Sequence, residues 1–355
     1  FSEAISDYWE TIQELAIDPS NAVTQGLFVS KAQTLIERAT NVYKSLVDYQ
    51  NNLNNEVEKH VKKLNDYAKR VVELNREIAK IEGGGVEHPN DLRDARNYIL
   101  DQMAELCNIS YSEDANGYVS IQIEGVDFVK GNIHYEMMMS ENEYGYSIPF
   151  WPHIIESTVN ADGERVYSPA KGQVFNLERE ISSAANTDIG KLKGILLARG
   201  DHPADCSEMT DAEEYDKKIA PSIIMNVEAE FDRLINGIVT TVNKILGDAG
   251  YTDGTDATDN LLFVRINTEG MNAAEGWHIG NIAVNSKFLQ EPALLNFVKP
   301  DDEVDQETAD KLKEAFEKEI YTLNPNSEKR TNFANFYNDL VFQVANTGEV
   351  NKLLY

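Results

Sequence analysis

The chain has 355 residues, is 42% hydrophobic, and carries 60 acidic against 32 basic side chains for a formal net charge of -28. That apolar share can bury a real core, which excludes a disordered chain, and the length allows two or three domains. The acidic excess repels nucleic acid and anionic lipid, and no run approaches the roughly 18 to 20 apolar residues that cross a bilayer. Cys107 and Cys206 stand far apart without a repeated spacing, so they form neither a disulfide framework nor a zinc knuckle. The basic-then-apolar opening of a secretory signal is missing. The chain opens at Phe1 and stops at Leu353-Leu354-Tyr355 directly after an ordered pattern, which reads as a fragment of a longer protein.

In chain order, Tyr8 or Trp9 with Ile12 and Leu15 first mark one side of a short helix, which Asp18-Pro19-Ser20-Asn21 stops and restarts. A much longer helix follows. Leu35, Ala39, Val42, Leu46, Tyr49, Leu53, Val57, Val61, Leu64, Ala68, Val71, Leu74, Ile78 and Ile81 recur mostly in steps of three and four. Consecutive fours between Leu53 and Val61 form a stutter that relaxes the supercoil locally. A helix of about 50 residues spans about 75 Å, and its stripe must be covered by partners. Gly83-Gly84-Gly85 ends it. Asn90 or Asp91 is then expected to cap a return helix that turns Leu92, Ala95, Ile99, Met103 and Leu106 inward.

From Ile109 to about Asn186 the character changes. Tyr118-Val119-Ser120-Ile121-Gln122-Ile123 alternates as a half-buried strand, and Asn116-Gly117 and Asp162-Gly163 mark tight turns. A second helical stripe runs through Ile223, Val227, Phe231, Leu234, Ile238, Val242 and Ile245, with Pro221 tolerated near its first turn. It is expected to pack along the long helix over residues 30–81, seating Val227, Phe231, Leu234, Ile238 and Val242 against Leu46, Leu53, Leu64, Val71, Leu74 and Ile78. After Gly247, a Gly, Asp and Thr-rich loop leads to strands at 261–266 and 277–284. Helices follow over 308–320 and through Phe333, Phe336, Leu340 and Val344. The fold class is multidomain α+β, a long-helix bundle domain with an inserted β-rich domain. The division is 1–108 for the first part of the helical rod and 109–188 for the β-rich insert. Residues 189–247 form the returning helix with a short insertion, and 248–355 form a hairpin region and terminal helices.

Few residues suggest chemistry. Asn90, Asp91, Leu92, Arg93, Asp94 and Arg96 offer paired carboxylates, but such residues favour helix starts, and the arginines suit bonds to a neighbouring helix or loop. His134-Tyr135-Glu136 and His202-Pro203-Ala204-Asp205-Cys206 imitate metal sites without three ligands on a regular scaffold, and no HExxH occurs. The loop Asp253-Gly254-Thr255-Asp256-Ala257-Thr258-Asp259 offers oxygen ligands to calcium but lacks the EF-hand spacing. No GxGxxG or GxxxxGK[ST] cradle exists, so no catalytic residue, cofactor or metal is assigned. Tyr144, Tyr146, Phe150 and Trp151 fit a β-domain core better than a glycan-binding face.

Several runs together resemble the bacterial flagellar hook-associated protein 1 family, the first junction protein between hook and filament. They are Leu15-Ala16-Ile17-Asp18-Pro19-Ser20-Asn21, Val72-Glu73-Leu74-Asn75-Arg76-Glu77-Ile78, and above all Asn90-Asp91-Leu92-Arg93-Asp94-Ala95-Arg96. The similarity continues through Gly117-Tyr118-Val119-Ser120-Ile121, Ile189-Gly190-Lys191-Leu192-Lys193-Gly194-Ile195-Leu196, and Asn332-Phe333-Ala334-Asn335-Phe336-Tyr337-Asn338-Asp339-Leu340-Val341. Residues 132–175 and 200–215 carry no family motif, Ala95 stands where the motif commonly has glutamine or a similar polar residue, and the family's channel-lining terminal helices are absent. The resemblance implies a non-enzymatic, extracellular structural part of the flagellum at the distal end of the hook. In the full-length protein it implies self-association in a ring, contact with the hook protein and the next junction protein, an export chaperone, and neither nucleic-acid binding nor membrane insertion. The runner-up readings are a surface adhesin or glycan-binding module displayed on a helical rod, and a polysaccharide-active enzyme around His134 to Trp151.

Overall fold

The computed structural model describes residues 1–83, 89–160, 163, 165–177, 190–251, 261–266 and 276–354, with side chains as far as 346. Gly84, Gly85, Asp162, Ile189 and the 253–259 loop lie outside the described residues. The architecture is mixed α+β, with long helices and several small antiparallel sheets. Chain contacts divide it into two compact units, one of Phe1–Asp48, Pro203–Ala220 and Ile224–Tyr355, the other of Tyr49–His202 and Pro221–Ile223.

Helix α1 (Ser2–Ile17) and the 61-residue α2 (Ala22–Glu82) are separated by the Asp18-to-Asn21 turn, where Asn21 Oδ1 accepts the Val23 N–H at 2.9 Å. In the first unit, Tyr8, Ile12 and Leu15 of α1 meet Phe28, Ala32, Leu35 and Ala39 of α2 and the inner face of α6 (Ile223–Asp248). Helices α8 (Gln306–Glu317) and α9 (Phe333–Leu354) close this core, with Phe316 5.1 Å edge-on from Phe333 and stacked 5.8 Å from Trp9. Phe333, Phe336 and Leu340 of α9 are buried, but Val344 is exposed, so the inward stripe stops a turn earlier than its spacing suggests.

In the second unit, α3 (Asn90–Leu106) and α4 (Gly190–Arg199) pack with a four-stranded meander onto α2. The meander is β1 (Ile109–Glu113), β2 (Val119–Ile123), β3 (Val126–Lys130) and β4 (Ile133–His134), followed by hairpins β5 (Met138–Glu141) with β6 (Ser147–Phe150) and β7 (Ser157–Val159) with β8 (Arg165–Tyr167). Val119, Ile121 and Ile123 turn inward onto a core that contains Val57, Val61, Leu64, Ala68, Val71 and Leu74 of α2. Gly190 starts α4 at φ +61°, and a Cβ there would come within 2.7 Å of the Leu106–Cys107 backbone, so only glycine lets α4 reach the end of α3.

This arrangement corrects three expectations. The α6 stripe shares its core with α1 and with Phe28 to Ala39 of α2, whereas Val57 to Leu74 are covered by α3 and the sheet. A 26-residue helix is too short to sheathe one of 61 residues at 1.5 Å per residue. Helix α3 starts from Pro89, whose carbonyl accepts the Arg93 N–H at 3.1 Å, and neither Asn90 nor Asp91 caps it. The expected strand at 277–284 is strand only from Ile282 to Val284, as β10, paired with β9 (Phe263–Arg265). A 3-10 turn, Ile279–Asn281, precedes it because Asp232 Oδ1 takes the Ile279 N–H at 2.8 Å. The seven-residue α5 (Ala212–Lys218) and the five-residue α7 (Ser286–Gln290) are the remaining α-helices among the described residues.

Leu64 is fully buried between α2 and the sheet. Leu64→Asp is therefore expected to lower stability by about 4 kcal/mol or more, through loss of packing and a buried unpaired carboxylate. Urea unfolding followed by circular dichroism checks it, and a loss below about 1 kcal/mol would contradict the packing described.

Candidate functional site

A network of buried polar bonds forms a joint between α2, α3 and the β1–β2 hairpin. Asn75 lies on α2, one residue after the core Leu74, and is fully buried. Its Nδ2 donates to the Val119 and Gly131 carbonyls, both at 2.8 Å, while its Oδ1 accepts from Val119 N at 3.1 Å and Arg96 Nη1 at 2.9 Å. One side-chain amide thus pairs with both backbone groups of Val119, as a neighbouring strand would.

Arg96 is 1% exposed and reaches the Gly117 carbonyl at 2.6 Å and Glu113 Oε2 at 3.2 Å. Arg93 grips Glu82 with two bonds of 2.9 Å and Glu113 Oε1 at 2.8 Å, and these partners raise its already high pKa. Gly117 passes so close that a Cβ would sit 3.0 Å from Glu82 Oε2, and its φ of +82° suits glycine. Of the remaining motif residues, Leu92 is half-buried against the core, and Asn90, Asp91 and Asp94 face solvent. Ala95, expected inward, is exposed; the hydrogen-bond acceptors on α2 and the hairpin draw Arg96 in instead.

The same device recurs. Asn65 donates to Met137 O and accepts from Met137 N, both at 2.9 Å. Asn54 accepts from Ser147 N at 2.8 Å and from Arg199 Nη1, and Gln50 donates to the Arg199 carbonyl at 2.9 Å and accepts from Tyr146 OH at 2.9 Å. Burial holds the Arg199 guanidinium down to about 10, and it lies 5.0 Å above the Tyr146 ring. In the first unit, Asn243 of α6 donates to Phe263 O at 2.9 Å and accepts from Phe263 N at 3.0 Å. Hydrophobic periodicity does not single out these amides. Their signal was present: Leu53-Asn54, Leu64-Asn65 and Leu74-Asn75 each set an asparagine directly after a stripe leucine.

Among the packing positions named from sequence, Leu64, Val71, Leu74, Ile78, Phe231, Leu234, Ile238 and Val242 are buried, whereas Leu46, Leu53 and Val227 are half-buried. Phe231, Leu234, Ile238 and Val242 lie in the core shared with α1, whereas Leu64, Val71 and Leu74 lie in the core under α3 and the sheet. Tyr146, Phe150 and Trp151 are interior, and Tyr144 is exposed beside His202. His134 sits on β4 and Glu136 faces solvent, while Tyr135 stacks on His153 at 4.2 Å.

Buried polar groups that join helix to strand edge define the class of fold, helices with docked β segments. Residues 1–263 match the family described as the flagellar hook-associated protein FlgK helical domain. The chain is 21% identical over 337 residues to flagellar hook-associated protein 1 of Escherichia coli, covering 82% of this chain and 57% of that one. It is 26% identical over 116 residues to the Bacillus subtilis protein of the same name, covering 33% and 23% of the two chains. In fold it is similar to the flagellar hook junction protein FlgK from Burkholderia pseudomallei, at a TM-score of 0.52 and 17% identity over 74% of this chain and 40% of that one. The chain belongs to the FlgK hook-associated protein family, which is structural and flagellar, not enzymatic. It spans little more than half the length of the Escherichia coli relative.

Two outcomes follow for the second unit. Asn75→Ala strands the Val119 backbone groups and Arg96, and is expected to cost about 3 kcal/mol in urea unfolding, clearly more than the exposed Asn90→Ala. Equal effects would contradict the role given to Asn75. His60 is buried on α2, and that burial, with Lys191 adding, holds its imidazole below the usual value of 6.5, while Glu56 opposes the shift. The unfolded chain therefore binds the proton more readily, so this contribution is intact above about pH 6.5 and is lost as pH falls through the depressed folded value. Melting temperatures between about pH 5 and 7.5 should fall less steeply in His60→Leu than in the unaltered chain, and parallel profiles would refute this assignment.

Proposed function

We propose that this chain is the helical and β-rich portion of a hook-filament junction subunit needed to assemble the bacterial flagellum. The observation that supports this most is the family match across residues 1–263, which takes in both helical stripes and the docked meander. In the full-length protein, copies self-associate in a ring outside the cell, at the distal end of the hook, in contact with the hook protein and the next junction protein. An export chaperone accompanies the chain beforehand.

Within that reading, the joints from Asn65, Asn75 and Asn243 keep each subunit's shape fixed, so repeated contacts meet in register around the ring. The β-rich insert is the outer part of the subunit, and residues 132–175 vary there outside positions bonded to α2 such as Met137, Tyr146 and Ser147. The interior placement of Tyr146, Phe150 and Trp151 leaves the glycan-binding reading without its aromatic face.

Electron microscopy of a strain lacking the full gene is expected to show hooks without filaments, with filaments restored by the unaltered gene. Immunogold labelling with an antibody against residues 132–175 is expected at the hook-filament boundary. Normal filaments in the deletion strain, or label spread through the cytoplasm, would overturn the proposal.

A further inference from the structure

Asp205, Asp232 and His278 come from three segments far apart in sequence, yet they offer ligand atoms that all lie within 4.8 Å of one another. Asp232 projects from α6, Asp205 precedes the 3-10 turn Cys206–Glu208, and His278 precedes the 3-10 turn Ile279–Asn281. His278 Nδ1 is 3.5 Å from Asp232 Oδ2 and 3.7 Å from Asp205 Oδ2. Two donor atoms bound to one tetrahedral zinc ion at about 2.0 to 2.2 Å are about 3.4 Å apart, so this spacing needs little adjustment to hold an ion.

The carboxylates are aimed by the backbone. Asp205 Oδ1 accepts from Ser207 N at 2.7 Å, and Asp232 accepts from Ile279 N at 2.8 Å on Oδ1 and from Cys206 N at 3.1 Å on Oδ2. Those bonds fix both Oδ2 atoms toward the imidazole, in the manner of outer groups that orient metal ligands. The Asn281 N–H donates to the His278 carbonyl at 2.9 Å and also to the His278 side chain, a shared bond that gives way when Nδ1 takes an ion. Asp232 is 1% exposed, and among the described residues the ion pairs of both carboxylates are with His278.

We infer that Asp205, Asp232 and His278 form a binding site for a divalent transition-metal ion of the zinc class. Two carboxylate oxygens and one imidazole nitrogen are a borderline donor set, and three protein ligands leave a fourth position for water. The ion ties the 203–210 loop and the turn at Ile279 to α6, all within one compact unit, so its role is to brace that unit. Sequence spacing hid the site, because Asp205 alone lies in the His202-to-Cys206 run while its partners are 27 and 73 residues further on. Asp205 also lies in the stretch 200–215 that carries no family motif.

The test uses the whole chain, freed of metal by chelator and titrated with zinc by calorimetry and with cobalt by visible absorption. About one equivalent should bind, with the intense visible bands of four-coordinate cobalt and a zinc-dependent rise in melting temperature. Asp205→Asn and His278→Gln should each weaken zinc binding by at least about tenfold, with circular dichroism confirming that both fold. His202→Gln should bind as the unaltered chain does. Absence of binding by the folded unaltered chain, or equal affinity in Asp205→Asn and His278→Gln, would overturn the site. A melting temperature that depends on pH but not on zinc would also overturn it, and would leave an imidazolium bridging two carboxylates.

Discussion

A buried asparagine amide paired with both backbone groups of a single residue in or directly beside a strand is the interaction on which much of this structure depends. A strand edge laid against a helix has N–H and C=O groups that the helix backbone cannot serve, because its own are already bonded along the helix axis. Left unpaired and buried, each such group costs roughly 1 to 3 kcal/mol. Asn65 against Met137, Asn75 against Val119 and Asn243 against Phe263 remove that cost by presenting one donor and one acceptor at strand-like spacing. Short strands of three to five residues can then sit directly on helices without a second sheet to cover them.

That constraint explains the two ways in which α2 is covered. Its early turns present Phe28, Ala32, Leu35 and Ala39 to other helices, and apolar packing suffices there. From Gln50 onward, its cover includes β segments and loops, and the inward polar positions Gln50, Asn54, Asn65 and Asn75 appear with them. Arg96 and Arg199 extend the same logic: each is buried, and each spends its donors on carbonyls and amide oxygens as well as on any carboxylate. For a protein of the flagellar junction family, segments fixed by directional bonds hold a single geometry where purely apolar contact would tolerate sliding.

Much of the helical framework was legible in the sequence, since runs such as Leu64, Ala68, Val71 and Leu74 repeat at helical spacing and Asp18-Pro19 punctuates them. The alternation from Val119 to Ile123 was equally plain. Which partner covers which part of α2 was not, because an apolar stripe records that a face is buried and not what buries it. The inward turn of Arg96 in place of Ala95 was hidden for a related reason: hydrophobic periodicity cannot register a charged side chain whose acceptors, Asn75 Oδ1 and the Gly117 carbonyl, come from other segments. The asparagine joints were visible only as repeated Leu-Asn pairs whose meaning depends on the strands beside them. The Asp205, Asp232 and His278 cluster was less legible still, because no local spacing joins its members.

Residue-resolved amide hydrogen exchange in the unaltered chain tests the central role of these joints most directly. The N–H groups of Val119, Met137 and Phe263 each donate to a side-chain oxygen, not to a neighbouring strand. If the asparagine amides secure the β segments, these three groups should exchange as slowly as the buried helical amides of Leu64 and Leu234 in their own units. Exchange at the rate of freely solvated edge amides, while the helices stay protected, would show that the strands lift away and that the joints do not hold them.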